Sequence, residues 1–324
     1  MRYNCPICNH EPIDHFDMSY AVPDGWTLPS KYTWKLCSCG FIWADNDGTQ
    51  EDYNEYYRKH YQPHIDAHDI HRLQQLASFI FGLVKQDAKI IDFGGGNGTL
   101  INMLKDYGFK DVGICNVDDK MTKCDVIIAS QVIEHIYNLD ETLALFRDNL
   151  NDNGIVITEL PEAMAYSFRQ EPPLLDYYPT HINHFSRSQI EALFTKYGFA
   201  NVLISGSEYK PTNAPMMRAV FLKDGYQQMF NRVRDHIKKQ EPLVMNEPVI
   251  VYGLGDLSLY QIARSGLDIK YYIDDAPIYK GVKINGISVK DKIEDNYPIV
   301  VFGQRHKQEI LEKLKGLNNK VVVL

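Results

Sequence analysis

The sequence predicts an α/β protein in three parts joined by two helical connectors, and three observations carry that reading. Four of the six cysteines, Cys5, Cys8, Cys37 and Cys39, fall within the first forty residues, among turn formers and short β-prone runs. Lys89-Ile90-Ile91-Asp92-Phe93 reads as a buried strand that runs into glycines and then a helix, opening a strand–helix alternation. Val249-Ile250-Val251-Tyr252 starts a second, smaller alternation of the same kind. The expected divisions are 1–48, a small cysteine-bearing β element; 49–76, a helical connector; 77–225, the main α/β domain; 226–244, a linker helix; and 245–324, a Rossmann-like α/β domain.

Composition narrows the class. With 44% hydrophobic and 23% charged residues, the chain is a folded globular protein. A net charge of −8 without a Lys/Arg block argues against a sequence-independent nucleic-acid surface. The longest apolar run, near 77–84, is too short to span a bilayer. The opening MRYNCPICNH has no apolar stretch of signal-peptide type, so a cytosolic, reducing compartment is expected, where cysteines serve as metal ligands or core thiols. Tyrosine is plentiful (21) and clusters at 53–61; such surfaces meet sugars or flat rings, although a packed interface explains them equally well.

Cys5-Pro6-Ile7-Cys8 has the spacing of a zinc knuckle, two thiolates around one tight turn. The second pair, Cys37-Ser38-Cys39-Gly40, is a tighter C-x-C, with Leu36 where the usual spacing puts a thiolate. Either His10 or His15 is an alternative fourth ligand. Four protein ligands leave no open position, so the ion is expected to be structural Zn2+. The competing reading is four free cysteines in a small β element.

In the main domain, Leu100 to Tyr107 reads as a helix closed by Gly108. Strands are expected at Asp111 to Cys115, Asp125 to Ala129 and Gly154 to Leu160. Leu143, Phe146 and Leu150 share one face of a helix over 140–150. Ser186 is placed as the N-cap of a helix to Tyr197, and two closing strands follow at 202–205 and 219–222. A mixed-charge helix over 226–240 leads out.

The chemistry concentrates in KIIDFGGGNGTL, where Asp92, Gly94, Gly96 and Gly98 stand as D-x-G-x-G-x-G between a strand and a helix. Glycines there let backbone N–H groups approach a ligand. CDVIIASQVIEHI and NDNGIVITELPE follow at matching intervals. Together these segments resemble class I S-adenosylmethionine-dependent methyltransferases. The order of the parts is similar to the three-domain sugar C-methyltransferases of deoxysugar pathways: a small N-terminal zinc ribbon, a class I methyltransferase (Rossmann-like) domain, here reduced, and a C-terminal Rossmann-like domain. The resemblance is specific in the middle and loose at both ends. It implies S-adenosyl-L-methionine as cofactor and a sugar or nucleotide-linked sugar as acceptor, for surface-glycan synthesis. It implies that Asp92, Gly94, Gly96 and Gly98 hold the methionine part, and that Gln131, Glu134 and His135 lie beside the sulfonium. The family's Tyr-His-Glu-His stretch corresponds to Tyr178-Pro179-Thr180-His181, so Tyr178 and His181 match while the first histidine and the glutamate do not. His181 is then the general base, with His184 and Tyr178 in support. Without the glutamate, abstraction of a proton from carbon is put in question, whereas a histidine still suits a hydroxyl acceptor. The plainer reading makes His181 and His184 packing and capping residues at a helix entry.

One stretch departs from that pattern. In VGICNVDDKMTKCDVII a helix and a strand are missing between two strands. A parallel crossover ordinarily takes a dozen or more residues. Eight extended residues reach at most about 27 Å, just enough to cross one strand and return along it. The second strand is therefore expected at the sheet edge. Cys115 or Asn116 stands where the resemblance places a ribose-binding acid, leaving Asp118 and Asp119 as the nearest acids. Weak cofactor binding, an adenine covered by another domain or subunit, or loss of the cofactor site are the expected alternatives.

At the C-terminus, Gly253 and Gly255 follow a strand, Ser258 replaces a third glycine, and Asp274 occupies the position of a ribose acid. Nucleotide-sugar docking and a packing-only domain are the two readings. At the level of the whole chain, the leading expectation is a methyltransferase. The alternatives are a catalytically silent methyltransferase fold serving as a binding or assembly module, and an enzyme using the C-terminal site with another nucleotide.

Overall fold

The computed structural model describes residues 2–61, 67–168, 176–209, 214–239, 242–302 and 306–323. They fall into two compact units, Met1–Asn231 and Arg232–Leu324.

The first unit opens with an antiparallel meander, β1 (Pro12–Ser19), β2 (Lys31–Cys37) and β3 (Ile42–Asp45). Helix α1 (Gln50–Lys59) starts on a capping box, in which the Thr49 N–H donates to Asp52 Oδ2 at 2.8 Å and the Asp52 N–H to Thr49 Oγ1 at 3.3 Å. Such a box contributes about 1 kcal/mol. Next come α2 (Ala67–Leu83), β4 (Ile90–Phe93), α3 (Thr99–Asp106), β5 (Val112–Cys115), β6 (Cys124–Ser130), α4 (Leu139–Asn149), β7 (Leu150–Pro161), β8 (Asn183–His184), α5 (Arg187–Lys196), β9 (Phe199–Tyr209), β10 (Ala214–Lys223) and α6 (Gly225–Lys239). Within the span expected as a connector, 49–76, the described residues hold α1 and the start of α2, residues 62–66 lying outside them, and the apolar run at 77–84 falls at the end of α2. The division between the units falls within α6.

The main sheet has the order β5-β4-β6-β7-β10-β9. β5, β4, β6 and β7 are parallel, and β10 and β9 close the far edge antiparallel. All four residues of β4 are buried, as a central parallel strand requires. β5 is the opposite edge, and residues 116–123 carry the chain across β4 to β6 without a helix. The short crossover anticipated from chain reach is therefore present. It is tied down locally, because Asp119 Oδ2 accepts from the Asn116 N–H at 2.9 Å and Asn116 Nδ2 at 2.8 Å, and Met121 is buried in the core.

The cysteine-bearing meander shares this core. β8 adds a fourth strand to it, pairing Asn183 with Trp43 and His184 with Ile42. Cys5, Cys37, Phe41 and Trp43 belong to the same apolar cluster as Phe93, Ile127 and Phe146. A β element of some forty residues buries little by itself, and packing on the larger sheet supplies what it lacks.

In the second unit, β11 (Val249–Tyr252), α7 (Asp256–Arg264), β12 (Ile269–Ile273), β13 (Lys283–Ile284), β14 (Ile287–Lys290), β15 (Ile299–Val301), α8 (Lys307–Leu314) and β16 (Val321–Val323) form a sheet of order β13-β14-β12-β11-β15-β16. It is parallel except for the β13–β14 hairpin, whose Asn285-Gly286 turn has φ of 50° and 81°. Asn-Gly between apolar residues is a strong hairpin signal that the sequence reading passed over. Among the described residues no helix is long and apolar enough to cross a membrane.

Candidate active site

A cavity of about 900 Å³ opens in the first unit at the C-terminal ends of β4, β5 and β6, where ligands bind in open parallel sheets. Its size lies toward the upper end of ligand pockets, roughly 300–1,000 Å³.

The turn after β4 forms one wall through Asp92, Gly94, Gly95, Gly96, Asn97 and Thr99. Gly94 has φ 74°, and a Cβ there would stand 2.7 Å from Val132 Cγ2. At Gly95 a Cβ would stand 2.5 Å from Asp92 Oδ2. The backbone thus folds closely over the Asp92 carboxylate, and only glycines fit. Gly95 lies outside the D-x-G-x-G-x-G register and was not singled out from sequence. Gly98, expected among the cofactor residues, is instead the left-handed N-cap of α3 and does not line the cavity. Burial pushes the Asp92 carboxyl up to about 7, against the pull of the Arg72 cation.

Asn116, Val117, Asp118 and Asp119 line the cavity beside this turn. Asp118 is paired with Arg58 of α1, and Asp119 is turned back onto Asn116. α1 and the residues just after it bring Tyr56, Tyr57, Arg58 and Tyr61 to the same cavity. On the side where the crossover lacks its helix, the covering element is therefore a segment of this chain. The tyrosine-rich connector, noted in sequence for its composition alone, supplies it.

From α2, Arg72 reaches the cavity and donates to Ser130 Oγ at 2.8 Å and Glu159 Oε1 at 2.6 Å. Arg218 Nε donates to Glu159 Oε2 at 3.0 Å. The fully buried Glu159 is thus held between two guanidiniums, as a buried carboxylate must be. Neither Arg72 nor Glu159 was a sequence candidate. Arg72 sits on the apolar face of a helix beside buried Leu73, Leu76 and Ala77, a placement that signals a buried partner.

After β6, Gln131 adopts φ 57°, a conformation uncommon for a side-chain-bearing residue. Its N–H donates to the Glu159 carbonyl at 2.7 Å and its Nε2 to the same oxygen at 3.2 Å. This sharp exit directs Val132 and His135 to the cavity. His135 Nδ1 donates to the Thr180 carbonyl at 2.7 Å, which leaves Nε2 as the ring's acceptor. Its ring lies 4.6 Å from that of His181, centroid to centroid. His181 Nε2 is hydrogen-bonded to the Tyr178 hydroxyl, with the two rings 4.0 Å apart. Tyr178, Thr180 and His181 all line the cavity. Burial drives His135 down to about 4 and His181 well below the usual imidazole value, so both rings are neutral at pH 7.

Two expected site residues are placed otherwise. Glu134 lies beneath the cavity wall, 1% exposed, and burial pushes its carboxyl up to about 8. His184, expected in the catalytic group, is in β8 within an aromatic box. Its Nδ1 lies 3.2 Å from the Tyr166 hydroxyl, and its ring packs on Trp34 and Tyr177, 5.1 and 4.5 Å away. Pairing with β3 fixes it there, away from the cavity lining.

The four cysteine sulfurs lie within 4.8 Å of one another, with Cys5–Cys39 at 3.7 Å and Cys8–Cys37 at 3.3 Å. Two tight turns present them: the Asn9 N–H donates to the Cys5 carbonyl at 2.9 Å, and the Gly40 N–H to the Cys37 carbonyl at 2.8 Å. The C-x-C spacing thus closes the cluster with four thiols, and neither His10 nor His15 is part of it.

In the second unit, Asp274 spends both oxygens on backbone, accepting from the Leu254 N–H at 2.6 Å and the Ala276 N–H at 2.8 Å. The Tyr279 hydroxyl donates to the Leu254 carbonyl at 2.6 Å. The Gly253–Gly255 turn is therefore closed by its own neighbours, with the expected ribose acid serving as a brace.

Residues 60–204 match the family model described as a methyltransferase domain. No curated protein matches. Among solved structures, the chain is similar to the Burkholderia thailandensis 1,6-didemethyltoxoflavin-N1-methyltransferase with bound 1,6-didemethyltoxoflavin and S-adenosylhomocysteine. That likeness has 11% identity and a TM-score of 0.41, and covers 63% of this chain and 98% of that one. A methyltransferase from Mesorhizobium loti gives 11% identity and a TM-score of 0.37 over 47% of this chain and 100% of its own. The N-methyltransferase NodS from Bradyrhizobium japonicum WM9, in complex with S-adenosylhomocysteine, gives 10% and 0.38 over 55% and 99%. The match over 60–204, together with the glycine turn at the end of β4 and the parallel order β5-β4-β6-β7, identifies a methyltransferase domain of the class I fold within the first unit.

Proposed function

We propose that the chain methylates a hydroxyl group of a sugar or nucleotide-linked sugar, in surface-glycan synthesis. The observation that carries this reading is that the Tyr178–His181 pair and the glycine turn share one cavity. S-adenosylmethionine, when bound, supplies an electrophilic methyl group. The residues present fit it: a glycine cradle that a Cβ would fill, a buried Asp92 carboxylate for the methionine ammonium, and Asn116, Asp118 and Asp119 for ribose hydroxyls. Arg72, at the cavity edge, suits the methionine carboxylate.

On the acceptor side, a neutral His181 takes the hydroxyl proton, and Tyr178 orients it through their hydrogen bond. Thr180 offers its carbonyl to His135 rather than a carboxylate to the substrate, which favours oxygen over carbon as the acceptor atom. Gln50, Asn54, Tyr56, Tyr57 and Tyr61 supply the mixture of amide groups and amphipathic rings that suits a sugar. Zn2+ at Cys5, Cys8, Cys37 and Cys39 is structural in this reading. A tetrahedral ion with Zn–S of about 2.3 Å sets its sulfurs about 3.8 Å apart, near the separations present.

The test is calorimetric titration with S-adenosylhomocysteine, followed by mass spectrometry of nucleotide sugars incubated with S-adenosylmethionine. Micromolar binding and a methylated nucleotide sugar are expected. Absence of binding at millimolar S-adenosylhomocysteine overturns the cofactor assignment. Methylation confined to non-sugar acceptors overturns the acceptor class.

A further inference from the structure

We propose that Glu134, His135 and His181 bind a divalent transition-metal ion at the edge of the cavity. One ligand atom from each residue, a carboxylate oxygen and two ring nitrogens, lies within 4.8 Å of the others. Two imidazoles and one carboxylate form a donor set that holds such ions while leaving coordination positions open.

Two observations favour an ion over a merely packed cluster. First, both carboxylate oxygens of Glu134 are buried without a hydrogen-bond partner among the described residues. A buried polar group left in this state costs free energy that folding rarely tolerates. Second, the tautomer of His135 is fixed by its bond to the Thr180 carbonyl, so the lone pair of Nε2 stands 4.0 Å from Glu134 Oε1. Two electron-rich atoms face each other there, and a cation between them answers both. Ligand distances of about 2.0–2.2 Å require the two atoms to close by roughly 1 Å or less, within reach of side-chain rotation. The His135–Thr180 bond is also the outer contact that orients a ligating imidazole.

His135 and His181 line the cavity, so the open positions face the space assigned to the acceptor. On that assignment, which belongs to the function proposed above, an acceptor hydroxyl oxygen coordinates the ion and is made more acidic by it. With the ion bound, His181 is a ligand, and the hydroxyl proton that it takes in the metal-free site passes instead to solvent water as the methyl group moves from sulfur to oxygen.

The test is equilibrium dialysis of the full chain, separately against Mn2+, Co2+ and Zn2+, with bound metal counted by mass spectrometry. Glu134→Gln keeps the shape of the side chain and removes its charge, and His181→Asn is the second variant. For at least one of the ions, wild type is expected to hold one more equivalent than either variant. Equal metal content in wild type and both variants for all three ions overturns the proposal. S-adenosylhomocysteine titration of the same samples separates this outcome from failure of the functional reading, since its binding does not require the ion.

Discussion

Arg58 on α1 is paired with Asp118 in the 116–123 crossover, so the helix that precedes the methyltransferase domain is tied to the loop where that domain is abbreviated. Both residues are substantially exposed, and little of the fold's stability rests on them. Their expected importance is to the cofactor pocket. Arg58→Ala and Asp118→Asn are each expected to weaken S-adenosylhomocysteine binding several-fold, with the double variant no worse than the weaker single one. Calorimetry on the three variants measures this, and unchanged affinity in all of them would show that α1 is no wall of the pocket.

Asp92 links stability to pH with a definite sign. Its folded-state value of about 7 lies above the ordinary 3.8, so between those values the folded chain keeps a proton that the unfolded chain has lost. Unfolding then releases protons, and stability falls as pH rises through the window. Asp92→Asn removes that fall. The variant is expected to melt with wild type near pH 4 and above it at pH 8, by on the order of 2–4 kcal/mol. It is also expected to lose S-adenosylhomocysteine binding. Melting curves across pH check the first part; equal pH slopes would contradict it.

The glycine cradle predicts a graded response. Gly95→Ala forces a Cβ to within 2.5 Å of the Asp92 carboxylate, so the carboxylate must shift. Gly94→Ala meets Val132 at 2.7 Å and also places alanine at φ 74°. Each is expected to destabilise by about 1–3 kcal/mol. Each is also expected to reduce S-adenosylhomocysteine affinity at least tenfold, while Gly98→Asn, at a left-handed cap that does not itself line the cavity, reduces it less. Denaturant melts and calorimetry on the three variants give the comparison.

The cysteine cluster predicts coupling between metal and the whole first unit, because Cys5 and Cys37 lie in its shared core. Chelation of Zn2+, or Cys8→Ser, is expected to cost several kcal/mol on the order set by structural zinc. Cofactor affinity is expected to fall in parallel, because β3 pairs with β8, which leads out of the Tyr178–His181 segment. Metal release with a colorimetric chelator during thermal unfolding measures the first, and calorimetric titration with S-adenosylhomocysteine the second. Full metal content in the Cys8→Ser variant would dismiss the four-cysteine assignment.

Local chemistry was legible in the sequence wherever neighbours in the chain are also neighbours in space. The strand–glycine–helix of residues 89–107, the capping serine at Ser186 and the short crossover could be read because periodicity, turn chemistry and chain reach are local quantities. The hairpin at Asn285-Gly286 was equally local and was overlooked.

The sequence by itself determined the α/β class, the glycine turn after β4, the cysteine pairs as candidate donors and the edge position of β5. Tertiary structure decided which residues meet. It took His184 into an aromatic box, turned Asp274 into a brace, brought Arg72 and the tyrosines of α1 to the cavity, and set Glu134 beside His135 and His181. These depend on burial and on pairings between residues far apart in the chain, such as His184 with Ile42 and Arg58 with Asp118. Residue type and spacing do not encode such distances; the packing of one apolar core does.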